Sequence, residues 1–89
     1  MSRPTYTGQA YPGQNNLTEA GCLHAVVNYA SKAAKDVALD VLRAYTQKNR
    51  TEINQTELNT QLDIAQAKLA GLDAQAQAQL SWAIAQMRA

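Results

Sequence analysis

The sequence predicts an all-α protein: a long antiparallel helical hairpin, preceded by an extended N-terminal arm and assembled with other copies into a helical bundle. Three observations support this prediction: two long stretches with apolar residues at helical spacing, a polar link between them, and an N-terminus that contains both prolines. The expected boundaries are an arm over 1–15 and a hairpin over 16–89, with helices over about 17–47 and 55–88 and a turn over about 48–54.

The arm contains a short duplication in which Tyr6-Thr-Gly-Gln is followed by Tyr11-Pro-Gly-Gln. The second copy is typical of a type II turn, because proline fixes φ at the second position and glycine tolerates positive φ at the third. Tyrosine offers a large flat contact surface with a polar tip. We therefore predict that Tyr6 and Tyr11 contact a partner and that the arm is dispensable for thermal stability. The alternative is a tail without fixed structure.

The first predicted helix begins at Asn16-Leu17-Thr18-Glu19, where Asn16 is the expected N-cap and Glu19 bonds back to it. An apolar stripe then alternates in steps of four and three: Leu23, Val27, Ala30, Ala34, Val37, Val41 and Ala44. This spacing predicts one continuous helix with a single buried face.

The opposite face of that helix is charged and most simply solvated. We expect ion pairs between Lys32 and Asp36 and between Asp40 and Arg43. Leu39 lies among these charges, and Tyr29 lies off the apolar stripe. These two residues hint at a second contact surface. Arg43 also forms a small basic tip with Lys48 and Arg50, which is a weak signal for phosphate binding.

The second predicted helix begins at Asn54, with Glu57 as its capping partner and Ile53 packing on Leu58. Its main stripe runs from Leu58 to Met87. A second row on the opposite side is rich in small side chains and is predicted to contact other copies: Ile64, Ala67, Gly71, Ala74, Ala78, Trp82 and Ala85. The alternative is that this row is partly solvated, since alanine is simply the best helix former.

Gly71 is the weakest point of this interpretation, because glycine inside a helix costs about 1 kcal/mol relative to alanine. The alternative is that residues 70–76 close one helix and cap another. The stripe keeps its phase across Gly71, so we favour one continuous helix. A two-helix hairpin has a thin core, and we therefore expect association to supply further burial.

Composition and side-chain chemistry favour no catalytic function. A net charge of +1 argues against general nucleic-acid binding, and no apolar run is long enough for a membrane span. The N-terminus lacks the apolar core of a secretory signal, and a single cysteine forms no internal disulfide, so we expect the cytosol or a particle assembled there. Cys22 and His24 point about 160° apart on a helix and do not share an ion. We predict no enzyme activity, no metal and no cofactor.

Tyr11, the Leu17-Thr18-Glu19 helix start and the Trp82…Arg88-Ala89 ending resemble a group of small phage proteins that sequester cyclic-oligonucleotide alarm signals, the anti-CBASS sponge family. The resemblance covers short motifs only. It implies a helical hairpin in a hexamer, with Tyr11 stacking on a base and a helix-borne lysine meeting phosphate. The lysine departs from the pattern: Tyr29 stands near its expected position, and Lys32 lies one turn further on.

The leading hypothesis is a non-enzymatic structural or interaction protein, such as a small phage virion or accessory component. It would associate with itself and dock a protein partner through its arm. One alternative is an oligomeric sponge for a cyclic nucleotide, with Tyr11 and Lys32 or Lys35 lining a pocket between subunits. A further alternative is a helical inhibitor of a host protein.

Overall fold

The computed structural model describes residues 5–8 and 17–88. Within these ranges the chain is all-α, as predicted, but it is not a long hairpin. The helices are α1 (Glu19–Tyr29), α2 (Lys32–Asn49), α3 (Gln55–Ala67) and α4 (Ala74–Met87), with a 3₁₀ turn (Lys68–Gly71) between α3 and α4. The longest extent of the molecule is 34 Å, whereas one helix over the predicted second segment would span about 50 Å.

The first predicted helix is interrupted after Tyr29. Ala30 is extended, with ψ of 176°, and Ser31 starts α2 as an N-cap whose hydroxyl accepts a bond from the Ala34 N–H at 3.4 Å. The prediction of one continuous helix here was wrong because the 4-3 apolar stripe continues through the break. Leu23 and Val26 on α1 and Val37 and Val41 on α2 share one buried cluster, so the change of direction leaves the pattern of burial intact.

The second predicted helix is also interrupted, near Gly71. The prediction of one continuous helix is wrong, and the alternative, in which one helix ends here and another is capped, is confirmed. Leu72 is extended, and the Asp73 carboxylate caps α4 by accepting the Ala76 N–H at 3.1 Å. The Gln77 side chain donates to the carbonyl of Leu72 at 2.8 Å. This bond satisfies an acceptor that a continuous helix would have paired internally. The aspartate cap and the glutamine side-chain hydrogen bond therefore stabilise the break, although the apolar stripe continues across it.

Of the predicted helix N-caps, the one at α3 is confirmed and the one at α1 is wrong. Asn54 caps α3, its side-chain oxygen accepting the Glu57 N–H at 2.8 Å, as predicted. Ile53 packs against the core cluster, which fits the predicted staple. At α1 the N-cap is Thr18, which accepts the Gly21 N–H at 3.4 Å, rather than Asn16. Asn16 itself lies outside the described residues.

Four helices therefore bury one core. α1 packs against both α2 and α4, and α3 packs mainly against α2. The fully buried large side chains come from every helix: Leu23, Val26, Val41, Leu58, Leu62, Leu80, Ile84 and Met87. The expectation of a thin two-helix core that needs association does not describe this packing. Whether the chain self-associates stays a prediction.

The described part of the arm is attached to the helices. Tyr6 exchanges two backbone hydrogen bonds with Leu17 in an isolated antiparallel bridge. Its ring also meets Trp82 of α4 edge to face, with centroids 5.8 Å apart and planes at 64°. The Tyr6 ring is thus half-buried against the chain's own α4, and we revise the expectation that the arm is dispensable for stability.

Replacing Tyr6 with alanine should lower the melting temperature, because an edge-to-face aromatic pair is worth about 0.5–1.5 kcal/mol beyond its buried area. For a domain of this size, each 1 kcal/mol corresponds to roughly 4–8 °C. Thermal unfolding followed by circular dichroism measures the effect. Thr7→Ala is the matched control, since Thr7 is exposed in the same segment. Equal melting temperatures for both variants would contradict a stabilising role for the ring.

Two glycines should respond oppositely to alanine. A Cβ at Gly71 meets no atom within 4 Å and its φ is not positive, so Gly71→Ala should stabilise by about 0.4–1 kcal/mol through the unfolded state. A Cβ at Gly8 would lie 2.8 Å from Tyr6 Oη and 2.9 Å from Cζ, and this ring is held against Trp82. Gly8→Ala should therefore destabilise in urea unfolding. A destabilised Gly71→Ala variant would show that the break depends on glycine itself.

Candidate functional site

A groove lies between α2 and α3 on the outer side of this antiparallel pair. Glu52 N–H bonds to the Gln47 carbonyl at 2.9 Å, and Thr51 has φ of 54°, which reverses the chain between the two helices. The groove has a volume of about 230 Å³. We define the α2–α3 groove by its lining residues, which are Asp40, Arg43, Gln47, Gln61, Ile64 and Ala65.

The register of the two helices explains how these residues come together. Lys68 Nζ donates to Asp40 Oδ2 at 3.4 Å across the pair. Because the helices are antiparallel, each step forward on α2 matches a step back on α3. Arg43 and Gln47 of α2 therefore line the same groove as Gln61 and Ala65 of α3. Buried residues such as Ala44 and Leu62 hold the helices together below the groove.

The apolar part of the groove is Ile64. Its side chain is 56% exposed although it lines a concave surface. Leu39 is 38% exposed and lies one turn before Arg43 on the same side of α2. An isolated exposed aliphatic residue is ordinary on a protein surface. An exposed isoleucine in a concavity beside a guanidinium is a more informative arrangement, since binding surfaces combine such groups.

Some charged and polar groups of the groove have bonding partners within the fold, and others have none in the described ranges. Asp40 pairs with Lys68 of α3 and not with Arg43 as predicted. Within the described residues Arg43 has no ion pair or hydrogen bond from its side chain, so its five guanidinium donors are available. Gln47 Oε1 is buried at the edge of the groove without a hydrogen-bond partner. The groove therefore offers one cation, one unpaired acceptor and an apolar side chain.

The predicted contact residues do not converge on this groove. Tyr6 lies beside Leu17, which precedes α1, whereas Lys32 follows the C-terminal end of α1. An 11-residue helix separates these two positions by about 16 Å. Lys32 forms the predicted pair with Asp36 at 3.3 Å, and Lys35 is exposed on α2. Tyr11 lies outside the described residues.

The row of small residues is divided between two helices. Ile64 and Ala67 belong to α3, Gly71 to the 3₁₀ turn, and Ala74, Ala78, Trp82 and Ala85 to α4. All except Trp82 are exposed, and Trp82 is half-buried beside Tyr6. The row is therefore not one continuous seam on one helix. Contact of these residues with a second copy stays a prediction.

The predicted basic tip is partly used inside the fold. Lys48 Nζ donates to the carbonyl of Met87 at 3.4 Å, and Gln55 Nε2 donates to the same oxygen at 3.2 Å. These bonds satisfy an acceptor at the C-terminal end of α4, where positive charge is favourable. Arg50 is exposed at the end of α2. Lys48 is thus a capping residue more than part of a phosphate site.

The cysteine lies in the core, where α1 meets α4. Cys22 is fully buried, and its thiol donates to the carbonyl of Gln79 at 3.4 Å. Gln79 is also fully buried and its Oε1 has no partner. Burial raises the pKa of the Cys22 thiol above its ordinary value, and the Gln79 side-chain Nε2, which donates to Cys22 Sγ at 3.6 Å, acts in the opposite direction. His24 is exposed, so the two residues are held apart, as predicted.

No protein-family model matches this chain, and neither a curated protein nor a solved structure matches it. Across residues 5–8 and 17–88, no group of three His, Cys, Asp or Glu side chains is placed to hold a metal ion. No helix in the same ranges is long and apolar enough to cross a membrane. The resemblance to the sponge family stays a hypothesis.

Several groove residues are recognisable in the sequence, but no sequence pattern brings them into one site. The sequence pattern places Asp40 and Arg43 on a mostly solvated face, with Arg43 also in the small basic tip. It indicates a second contact surface at Leu39 and an interface with other copies at Ile64. The signal that was missed is the i,i+4 spacing of Leu39 and Arg43 on α2 and of Ile64 and Lys68 on α3. Arg43 and Ile64 line one groove only because α2 and α3 pack against each other in this arrangement.

The buried thiol predicts a pH dependence of stability. Because the pKa of Cys22 is raised in the folded protein, the folded state retains the proton better than the unfolded state does. Stability from this group is present below the ordinary pKa of 9.0 and is lost as pH rises toward the raised value. Urea unfolding from pH 7 to 10 should therefore show a steeper loss for the wild type than for Cys22→Ala. Parallel curves would contradict this assignment.

Proposed function

We propose that this chain is a non-enzymatic interaction protein that holds a protein partner in the α2–α3 groove. The observation that carries the proposal is the exposure of Ile64 in a concave surface, next to the unpaired Arg43. Burial of an exposed aliphatic side chain by a partner is favourable by about 25 cal/mol per Å² of apolar surface. An arginine at the centre of a contact is among the residues that contribute most to binding.

The size of the groove favours a protein partner over a small ligand. Pockets for small molecules commonly have volumes of roughly 300–1,000 Å³, and the groove has about 230 Å³. A space of this size suits one or two side chains that project from a larger surface. The cyclic-nucleotide alternative gains no support from this groove, because no tyrosine lines it and Tyr6 packs on Trp82.

The remaining features of the hypothesis are proposals that rest on the sequence. They are self-association through the exposed residues of α3 and α4, a contribution of Tyr11 to docking, and a role as a small phage virion or accessory component in the host cell. The contact of Tyr6 with Trp82 gives the arm a second purpose in the fold. We therefore propose that the main docking surface is the α2–α3 groove and not the arm.

A photo-crosslinking residue placed at position 64 in the native cells tests the proposal. We expect a discrete crosslinked partner from this position and none from position 75, because Gln75 is exposed on α4 and does not line the groove. Binding of the purified partner is then measured by calorimetry. Ile64→Ala should weaken binding by about tenfold or more, as expected for a central contact residue.

Tyr29→Ala is the matched control for that measurement. Tyr29 is 58% exposed, close to the 56% of Ile64, but it does not line the groove. Its replacement should change binding by less than about twofold, within the range of peripheral contacts. Equal losses for both variants would reject the groove as the docking surface. Crosslinks that join only two copies of this chain would replace partner docking with self-association.

A further inference from the structure

We propose, on the basis of the proposed function, that the segment bound in the α2–α3 groove is an acidic amphipathic helix of another protein. It would place an apolar side chain on Ile64 and an Asp or Glu, about one helical turn away, on Arg43. Three features of the groove support this inference: its charge, its shape, and the state of the chain's own carboxylates.

The charge of the groove is complementary to a carboxylate. Asp40 and Arg43 of the lining, together with Lys68 bonded to Asp40 at 3.4 Å, carry a net charge of +1. A guanidinium binds a carboxylate through two parallel N–H···O bonds, with geometry that a neutral acceptor does not match. Gln47 Oε1, buried without a partner, favours a segment that also brings a hydrogen-bond donor.

The shape of the groove suits a helix. From Asp40 to Gln47 the groove follows two turns of α2, about 10 Å at 1.5 Å per residue. Backbone groups of α2 and α3 are already bonded within their own helices, so neither offers a free edge to an extended strand. A third helix packs into the space between two others through side chains alone. Residues one turn apart on it would reach Ile64 and Arg43 together.

The chain's own carboxylates are almost all occupied, which argues against a second copy as the source. Asp36, Asp40 and Asp63 form ion pairs. Asp73 caps α4, Glu57 bonds to the Asn54 side chain, and Glu19 is buried in an interaction of its own. Glu52 is the one remaining acidic residue in the described ranges. Residues 1–16 contain no Asp or Glu, so the arm does not supply the carboxylate either.

Synthetic peptides test the inference without the native partner. The probe is a fluorescein-labelled, alanine-based helical peptide with a leucine and a glutamate four residues apart. Two further versions carry glutamine or lysine in place of the glutamate. Fluorescence anisotropy gives the affinities, and amide chemical shifts locate the site. We expect the glutamate peptide to bind at least about tenfold more tightly than the lysine peptide, with shifts at Arg43 and Ile64 that weaken as salt rises.

Charge reversal at Arg43 provides the decisive comparison. Arg43→Glu should invert the preference, so that the lysine peptide binds more tightly, and Arg43→Gln should remove the preference. Lys35→Glu is the matched control, since Lys35 is an exposed cation of the same helix that does not line the groove; it should keep the wild-type order. Thermal melting shows whether each variant is folded, and Arg43→Gln decides the test if Arg43→Glu unfolds.

The outcomes separate this inference from the proposed function. Equal affinities for the three peptides, an unchanged order in the Arg43 variants, or shifts outside the groove would each overturn the inference. A crosslinked partner that presents a basic helix at position 64 would also overturn it, while the proposed function would stand. Chemical shifts at Ile64 that depend on protein concentration alone would indicate a second copy as the occupant.

Discussion

The packing of α1 against both α2 and α4 is the constraint on which the rest of the structure depends. α1 is short, but Cys22, Leu23 and Val26 on it are fully buried, because α2 covers one side and α4 the other. A straight helix through residues 17–47 would carry α1 away from α4. The extended Ala30 allows α1 to turn back over the chain, and the break at residues 68–73 allows α4 to meet it.

The breaks exchange a few backbone hydrogen bonds for a larger core. Each new helix start is compensated locally, by Ser31 at α2 and by Asp73 at α4, and a cap of this kind is worth about 1 kcal/mol. With these breaks, Leu80, Ile84 and Met87 are buried together with Leu23 and Val26 in one cluster.

The groove is a consequence of the same arrangement. α3 packs mainly against α2 and only slightly against α4, so the outer edges of α2 and α3 remain uncovered. Within the part of the chain that the structure describes, Asp40 takes Lys68 as its partner, and this choice leaves Arg43 available. The resulting surface has one unpaired cation and one exposed isoleucine on two packed helices, and a binding site placed on helices is held more precisely than one on loops.

The sequence by itself determined much of the buried face of each helix and where α3 begins. Leu58, Leu62, Val37 and Val41 lie in the core as helical periodicity predicts, and Asn54 caps α3, because both signals depend on residues within one or two turns. The tertiary structure alone decided that both long helices break and that Asp40 bonds Lys68, 28 residues away. A periodic stripe has the same form whether its helix continues or turns back. The difference lies in the free energy of contacts between distant segments, which no local pattern records.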